Sequence, residues 1–507
     1  MFKSLSTVGF YTLLSRILGF VRDMVFAQVF GAGAATDAFF VAFKIPNFLR
    51  RLFAEGAFSV AFVPVLTEYR ERRDFAALKH FVDHVAGTLG LVLLGVVGVG
   101  ILGAPAVIAL FAPGFVGEGA QFPLAVEMLR LTFPYILFIS LVAFAGGIMN
   151  AHGRFAVPAF TPVLLNLSLI ACALWLAPRL DRPIVALAWG VLLAGVLQFL
   201  LQLPWLARLK LLPSFRPAPR DEGVRRILRL MLPALFGISV TQLNLLIDTL
   251  IASFLAAGSI SWLYYSDRLM EFPVGILGVA LGTVVLPKLS RQHAGASPRA
   301  FSATLDWALR VVVLLAAPAA LGLLLLAGPL IATLFQSGVF GVDDVRRATQ
   351  SLIAYTAGLF GFVAIKVLAP GFYARQDTRT PVRIAVIAML VNMVMNLVLV
   401  WPLRHAGLAL ATSLSALVNA ALLLRALRAQ DAYRPSAGWA ALGARVAAAL
   451  LVMGAVLWGG GGTLDEWLGM ARSARVVWLA WLIPVAAAAY FVTLFLLGVR
   501  KRDFVRA

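Results

Sequence analysis

Long apolar runs separated by short polar stretches recur along almost the whole chain. A membrane-crossing helix needs about 20 predominantly apolar residues. The pattern predicts fourteen such runs, at roughly 7–30, 35–63, 83–110, 122–150, 157–177, 183–203, 229–256, 262–287, 303–335, 348–372, 380–402, 406–426, 438–459 and 475–498. The runs are long and lack strand-type alternation, so helices rather than barrel strands are expected. The polar stretches between them are too short to bury a core of their own. The first run reads as a span and not as a cleaved signal peptide, because Arg16, Arg22 and Asp23 fall where such a peptide is uninterruptedly apolar.

The pattern repeats at an offset of 223–224 residues. "VFGAG" (29–33) matches "SFLAAG" (253–258), and "FVPVL" (62–66) matches "VLPKL" (285–289). "GAPAVIALF" (103–111) matches "AGPLIATLF" (327–335), and "NAHGRFAVP" (150–158) matches "YARQDTRTP" (373–381). Four matches at one offset indicate an internal repeat. Six spans per repeat is an even number, so the halves share an orientation, as in transporters whose lobes are related by an axis along the membrane normal. The expected organisation is an N-lobe over 1–205, a linker over 206–228, a C-lobe over 229–430, and two further helices over 431–507.

Composition agrees with this reading: 61% of the 507 residues are hydrophobic and 13% are charged, against about half and a quarter in soluble domains. A net charge of +20 invites a nucleic-acid reading, but position argues against it. Of the 43 Lys and Arg residues, 26 fall on one side of the alternating spans and 7 on the other. That asymmetry predicts both termini and the basic loops in the cytoplasm, with a contribution from anionic membrane lipids.

The remaining ten basic residues lie within or at the ends of spans. In "SRILGFVRD", Arg16 and Asp23 are seven apart and share a helix face, with Arg22 turned away and Gly19 between them. In "TDAFFVAFKIPNFLRRLFAEGAF", Asp37, Lys44 and Arg51 recur every seven residues, with Asn47, Arg50 and Glu55 beside them and Pro46 opening the backbone. In "SWLYYSDRLMEFP", Asp267, Arg268 and Glu271 are spaced for local ion pairs. Lys366 is expected to be a further buried cation. One reading is that these charges pair and only hold helices together. The better-supported one is that surplus intramembrane arginine lines a water-filled path for an anion, because guanidinium binds phosphate oxygens through paired hydrogen bonds.

Other signals carry less. His80 and His84 are one turn apart, but "HFVDH" lacks the glutamate of a zinc-protease motif and sits at the membrane surface. Cys172 reads as a small buried hydrophobe. "EYRERRDFAALKHFVDH" reads as an amphipathic interfacial helix. "FGAGAATDAFF" reads as the turn between the first two helices. There is no P-loop, nucleophile elbow or catalytic cluster.

"SRILGFVRD", "FGAGAATDAFFVAFKIPNFLRRLFAEGAFSVAFVP", "WLYYSDRLMEFPVGILGVALGTVVLP" and "KVLAPGFYARQDTRTPV" resemble the MviN/MurJ family of bacterial lipid II flippases, within the multidrug/oligosaccharidyl-lipid/polysaccharide exporter superfamily. The resemblance implies an all-α protein of fourteen transmembrane helices: two parallel six-helix lobes around a central cationic cavity, and two extra C-terminal helices forming a groove for the lipid tail. It implies that Arg16, Arg22 and Arg268 line the cavity and hold the pyrophosphate of lipid II. Of the adjacent pair, Arg50 matches the family's cavity arginine, whereas the stripe spacing alone favours Arg51. Asp37 matches an acidic residue near the periplasmic gate. The implied partners are lipid II, membrane lipids and other cell-wall synthesis proteins. Nucleic acid is not among them, and a functional monomer is expected. No cofactor is expected beyond coupling to membrane potential or a monovalent ion. The competing readings are a cation-coupled drug or metabolite antiporter, which needs unpaired cavity carboxylates, another lipid-linked oligosaccharide exporter of the same superfamily, a non-transporting scaffold for cell-wall enzymes, and an intramembrane enzyme.

Overall fold

The computed structural model describes residues 2–51, 58–117, 119–295 and 297–500. They fold into helices: α1 (Phe2–Phe30), α2 (Ala34–Leu49), α3 (Ser59–Arg72), α4 (Phe75–Leu102), α5 (Ala104–Phe111), α6 (Gln121–Thr132), α7 (Tyr135–Ala151), α8 (Ala156–Ala171), α9 (Val185–Arg208), α10 (Glu222–Ala252), α11 (Ser259–Ala294), α12 (Pro298–Leu325), α13 (Ala327–Phe335), α14 (Val342–Thr356), α15 (Leu359–Tyr373), α16 (Arg379–Leu403), α17 (His405–Ala429), α18 (Trp439–Gly461), α19 (Leu464–Gly469) and α20 (Arg472–Leu496). The chain divides into two compact units, 1–261 and 262–507. The linker and α10 belong to the first, where α10 packs on α3, α4 and α5.

Among the described residues, ten helical stretches are long and apolar enough to cross a membrane, and eleven if the α14–α15 pair, bent by 40°, counts as one span. This is a multi-pass membrane protein. Of the three other expected spans, α1 carries Arg16, Arg22 and Asp23, and the span expected at 229–256 includes residues 233–245, whose side chains lie outside the described residues. The expected span 35–63 is divided between α2 and α3, with 52–57 outside the described residues.

The repeat is visible in where helices break. α4 gives way to α5 at Gly103, and α12 to α13 at Leu326, 223 residues later. α6 breaks before α7 at Phe133–Pro134, and α14 before α15 at Ala357–Gly358. Each break holds a glycine or proline within a few residues, where a missing side chain or missing N–H interrupts the helical ladder.

Two expectations are corrected. "EYRERRDFAALKHFVDH" is not one helix: α3 ends at Arg72, and Asp74 starts α4 by accepting the Ala77 amide at 2.8 Å. An acceptor at that position satisfies an amide that has no partner within the helix, so it marks a helix start. Lys366 is exposed rather than buried. Its aliphatic stem lies against Gly278, where an added Cβ would meet the Lys366 Cγ at 3.0 Å, an arrangement that leaves the ammonium free to reach water. The turn at 31–33 is as expected, with Gly31 at φ 68°, and Cys172 is a buried free thiol.

Candidate functional site

In α1 the polar residues separate by environment. Arg22 is buried, with Nε and Nη2 donating to Asp23 Oδ1 at 2.9 and 2.7 Å and Nη1 donating to Asn166 Oδ1 at 3.1 Å. Its guanidinium also lies 5.6 Å from the Phe26 ring centroid. Asn166, on α8, donates to the Ser15 carbonyl at 2.9 Å and sits 3.6 Å from where a Gly19 Cβ would be. Ser15, Gly19 and Arg22 lie on one helix face, against which the Asn166 amide packs. A buried guanidinium is tolerable when a carboxylate and further hydrogen bonds satisfy it.

Arg16 is different. One residue along from Ser15, it points off that face, is exposed, and has no hydrogen bond or ion pair among the described residues. Although Arg16 and Asp23 share a face by spacing, Asp23 is 1% exposed and engaged with Arg22.

In α2 the seven-residue stripe meets the end of α10 and the segment after it. Lys44 Nζ donates to Thr249 Oγ1 at 2.6 Å. Asp37 is buried and accepts three hydrogen bonds: from the Gly258 amide at 2.7 Å, the Ser261 amide at 2.8 Å and the Ser261 hydroxyl at 2.5 Å. Asp37 and Ser261 are 224 apart in sequence, so positions equivalent in the repeat touch. Arg50 Nε donates to Asn47 Oδ1 at 2.8 Å, and Arg50 and Arg51 are both half-buried. Glu55 lies outside the described residues.

In the second unit, Arg268 Nη1 lies 2.9 Å from Glu271 Oε2, and its Nη2 lies 3.9 Å from Asp267 Oδ2. The guanidinium lies 5.1 Å from the Tyr264 ring centroid. The local ion pairing read from the spacing is therefore present. Elsewhere in this unit, α18 and α20 pack on α12, and an apolar cavity of about 320 Å³ opens among Pro273, Pro318, Met453, Leu457, Ile483 and Tyr490.

Two polar residues that position this chemistry were missed in the sequence: Asn166 and Thr249. Each is a polar residue within an otherwise apolar run, and that is the signal that marks them.

Comparison with known proteins adds family context. Residues 26–477 match the family described as "Lipid II flippase MurJ". A protein of Haemophilus influenzae described as a probable lipid II flippase MurJ is 50% identical over 97% of this chain and 99% of its own. A solved structure of a lipid II flippase MurJ in an inward closed conformation superposes with a TM-score of 0.81 at 27% identity, over 98% of this chain and 99% of that one. An inward-facing multidrug resistance transporter of the MATE family superposes at 0.68 and 14% identity, over 82% of this chain and 94% of its own, a likeness of fold alone.

Proposed function

Because the chain belongs to the lipid II flippase MurJ family, we propose that it moves lipid II from the cytoplasmic to the periplasmic leaflet of the bacterial inner membrane by alternating access. It is a transporter and not an enzyme. On this reading fourteen helices cross the membrane, twelve of them in two six-helix lobes with both termini cytoplasmic, as the basic-loop asymmetry requires. Repeated helix breaks at the 223–224 offset support the two-lobe organisation. The apolar cavity between α12 and the last helices suits a polyprenyl tail, because an apolar wall exacts no desolvation penalty from a hydrocarbon chain.

Arg16, Arg22, Arg50 and Arg268 act on the pyrophosphate. The observation that carries the assignment of Arg16 is the contrast within α1. The Arg22 charge is neutralised in place by Asp23 and held by Asn166, whereas Arg16 on the same helix is exposed and has no partner among the described residues. An intramembrane cation without a protein partner calls for an anion or water, and a guanidinium offers phosphate two parallel hydrogen bonds. Arg22, Arg50 and Arg268 are pre-oriented by Asp23, Asn47 and Glu271. The pyrophosphate exchanges its hydration for these fixed donors and is released when the lobes rock.

The test is translocation of lipid II in cells depleted of their own flippase. Expression of this chain restores the appearance of lipid II on the outer leaflet. A well-expressed chain that leaves lipid II on the inner leaflet contradicts the reading.

A further inference from the structure

Outside the transport path, three ligating side chains meet where α4 approaches the start of α10. His80 and His84 are one turn apart on α4, with ring centroids 3.9 Å apart. Asp221 ends the linker and caps α10. Its Oδ1 accepts the Val224 amide at 3.2 Å, which leaves Oδ2 3.0 Å from His84 Nδ1. One ligand atom from each of the three residues lies within 4.8 Å of the others. Around a tetrahedral zinc ion with bonds of about 2.0–2.1 Å, ligand atoms stand about 3.3 Å apart. The His84–Asp221 pair is already close to that spacing. His80 is exposed, so turning its ring closes the remainder.

We propose that His80, His84 and Asp221 bind a divalent transition-metal ion of the zinc class. Two imidazoles and one carboxylate favour such an ion over magnesium or calcium, which prefer oxygen ligands. The surface depression bordered by Tyr69, Asp74, His80, Phe81 and Asp221 leaves a fourth position for water. The cap bond from Val224 orients the carboxylate from behind, as outer partners of metal ligands do.

The ion joins two elements that the linker already brings together. The Ser214 amide donates to Asp83 at 2.7 Å and the Ala218 amide donates to Thr88 at 2.9 Å. The backbone of Arg216 lies directly over Gly87. Metal binding therefore fastens the start of α10 to α4 and secures the linker between them.

The experiment uses the purified full-length protein in detergent, stripped with a chelator and titrated with zinc chloride, with magnesium chloride as the control. Calorimetry gives stoichiometry and affinity, and thermal unfolding gives the stabilisation. The expected result is one zinc bound per chain and a raised unfolding temperature that magnesium does not reproduce. His80→Ala, at an exposed position, leaves unfolding in chelator unchanged and weakens zinc binding, because one of three protein ligands is removed. Cobalt in place of zinc gives the absorption of a tetrahedral site in the wild type and not in His84→Ala. Absence of stoichiometric zinc binding, or binding that survives His80→Ala undiminished, overturns the proposal.

Discussion

The opposed environments of Arg16 and Arg22 make a prediction that separates folding from transport. Removing one partner of a buried ion pair strands the other, at a cost of about 3–5 kcal/mol. Arg22→Ala and Asp23→Ala are therefore expected to lower the unfolding temperature of the purified protein, and Asn166→Ala to do so by less. Arg16→Ala leaves it unchanged, because that side chain is exposed and makes no contact that folding needs. Thermal unfolding of the four variants checks this. Asp37→Asn, which sets an NH2 donor against either the Gly258 amide or the Ser261 donors and so breaks at least one of the three accepted hydrogen bonds, is expected to destabilise by about 1–3 kcal/mol. The charges themselves were legible in the sequence, and so was the Arg268–Glu271 pair, because local spacing decides it. Which of them are neutralised was not. Asn166 is 144 residues from Arg22 and Thr249 is 205 from Lys44, distances over which no periodicity speaks. Lys366 was misjudged for the same reason, since the space that lets its stem lie flat comes from Gly278 on another helix.

At the scale of elements, the linker is held by the face of α4. A Cβ on Gly87 would stand 2.4 Å from the Arg216 carbonyl carbon, and backbone cannot yield as a flexible side chain can. Gly87→Leu is expected to lift the linker and speed its cleavage in limited proteolysis, whereas the same substitution at Gly95, which has open space around it, does not. The start of α16 makes a pH-dependent prediction. Asp377 accepts the Thr380 hydroxyl at 2.6 Å and the Thr380 amide at 3.0 Å. These bonds hold its carboxyl below the ordinary value of 3.8. A lowered folded-state value means the stabilisation is complete above the unfolded value and is lost as pH falls through the folded one. Protection of the Thr380 amide, measured relative to its intrinsic exchange rate, is expected to fall on acidification below about pH 4, and Asp377→Asn is expected to flatten that response. Helix positions were readable from apolar run length. Their internal breaks were readable only in hindsight from the repeated prolines and glycines, and the Asp74 cap was concealed within a charged, seemingly continuous helix.

At the scale of the molecule, the all-helical membrane class follows from the pattern of apolar runs, since closed barrels, the other structure that satisfies its backbone in lipid, show alternating rather than continuous apolar stretches. Charged residues interrupt the apolar pattern in α1 and α2, and apolar run length alone gives no account of them. The shared fold with a multidrug transporter at 14% identity carries no substrate information, so the substrate assignment rests on family membership and on the arginines. On the proposed reading, Arg16, which has no partner among the described residues, moves within the membrane field during the cycle. Each elementary charge moved through 100 mV is worth about 2.3 kcal/mol, so flipping in proteoliposomes is expected to change with an imposed potential. Equal rates at zero and at an inside-negative potential would remove that coupling.

The most direct test of the central claim, that exposed arginine in α1 receives the lipid's phosphates, is lipid II translocation by Arg16→Ala and Arg16→Lys at matched membrane levels in flippase-depleted cells. The account predicts that alanine abolishes translocation while folding is intact, and that lysine restores only part of it, because an ammonium lacks the paired donors of guanidinium. Translocation by Arg16→Ala at the wild-type rate would contradict it.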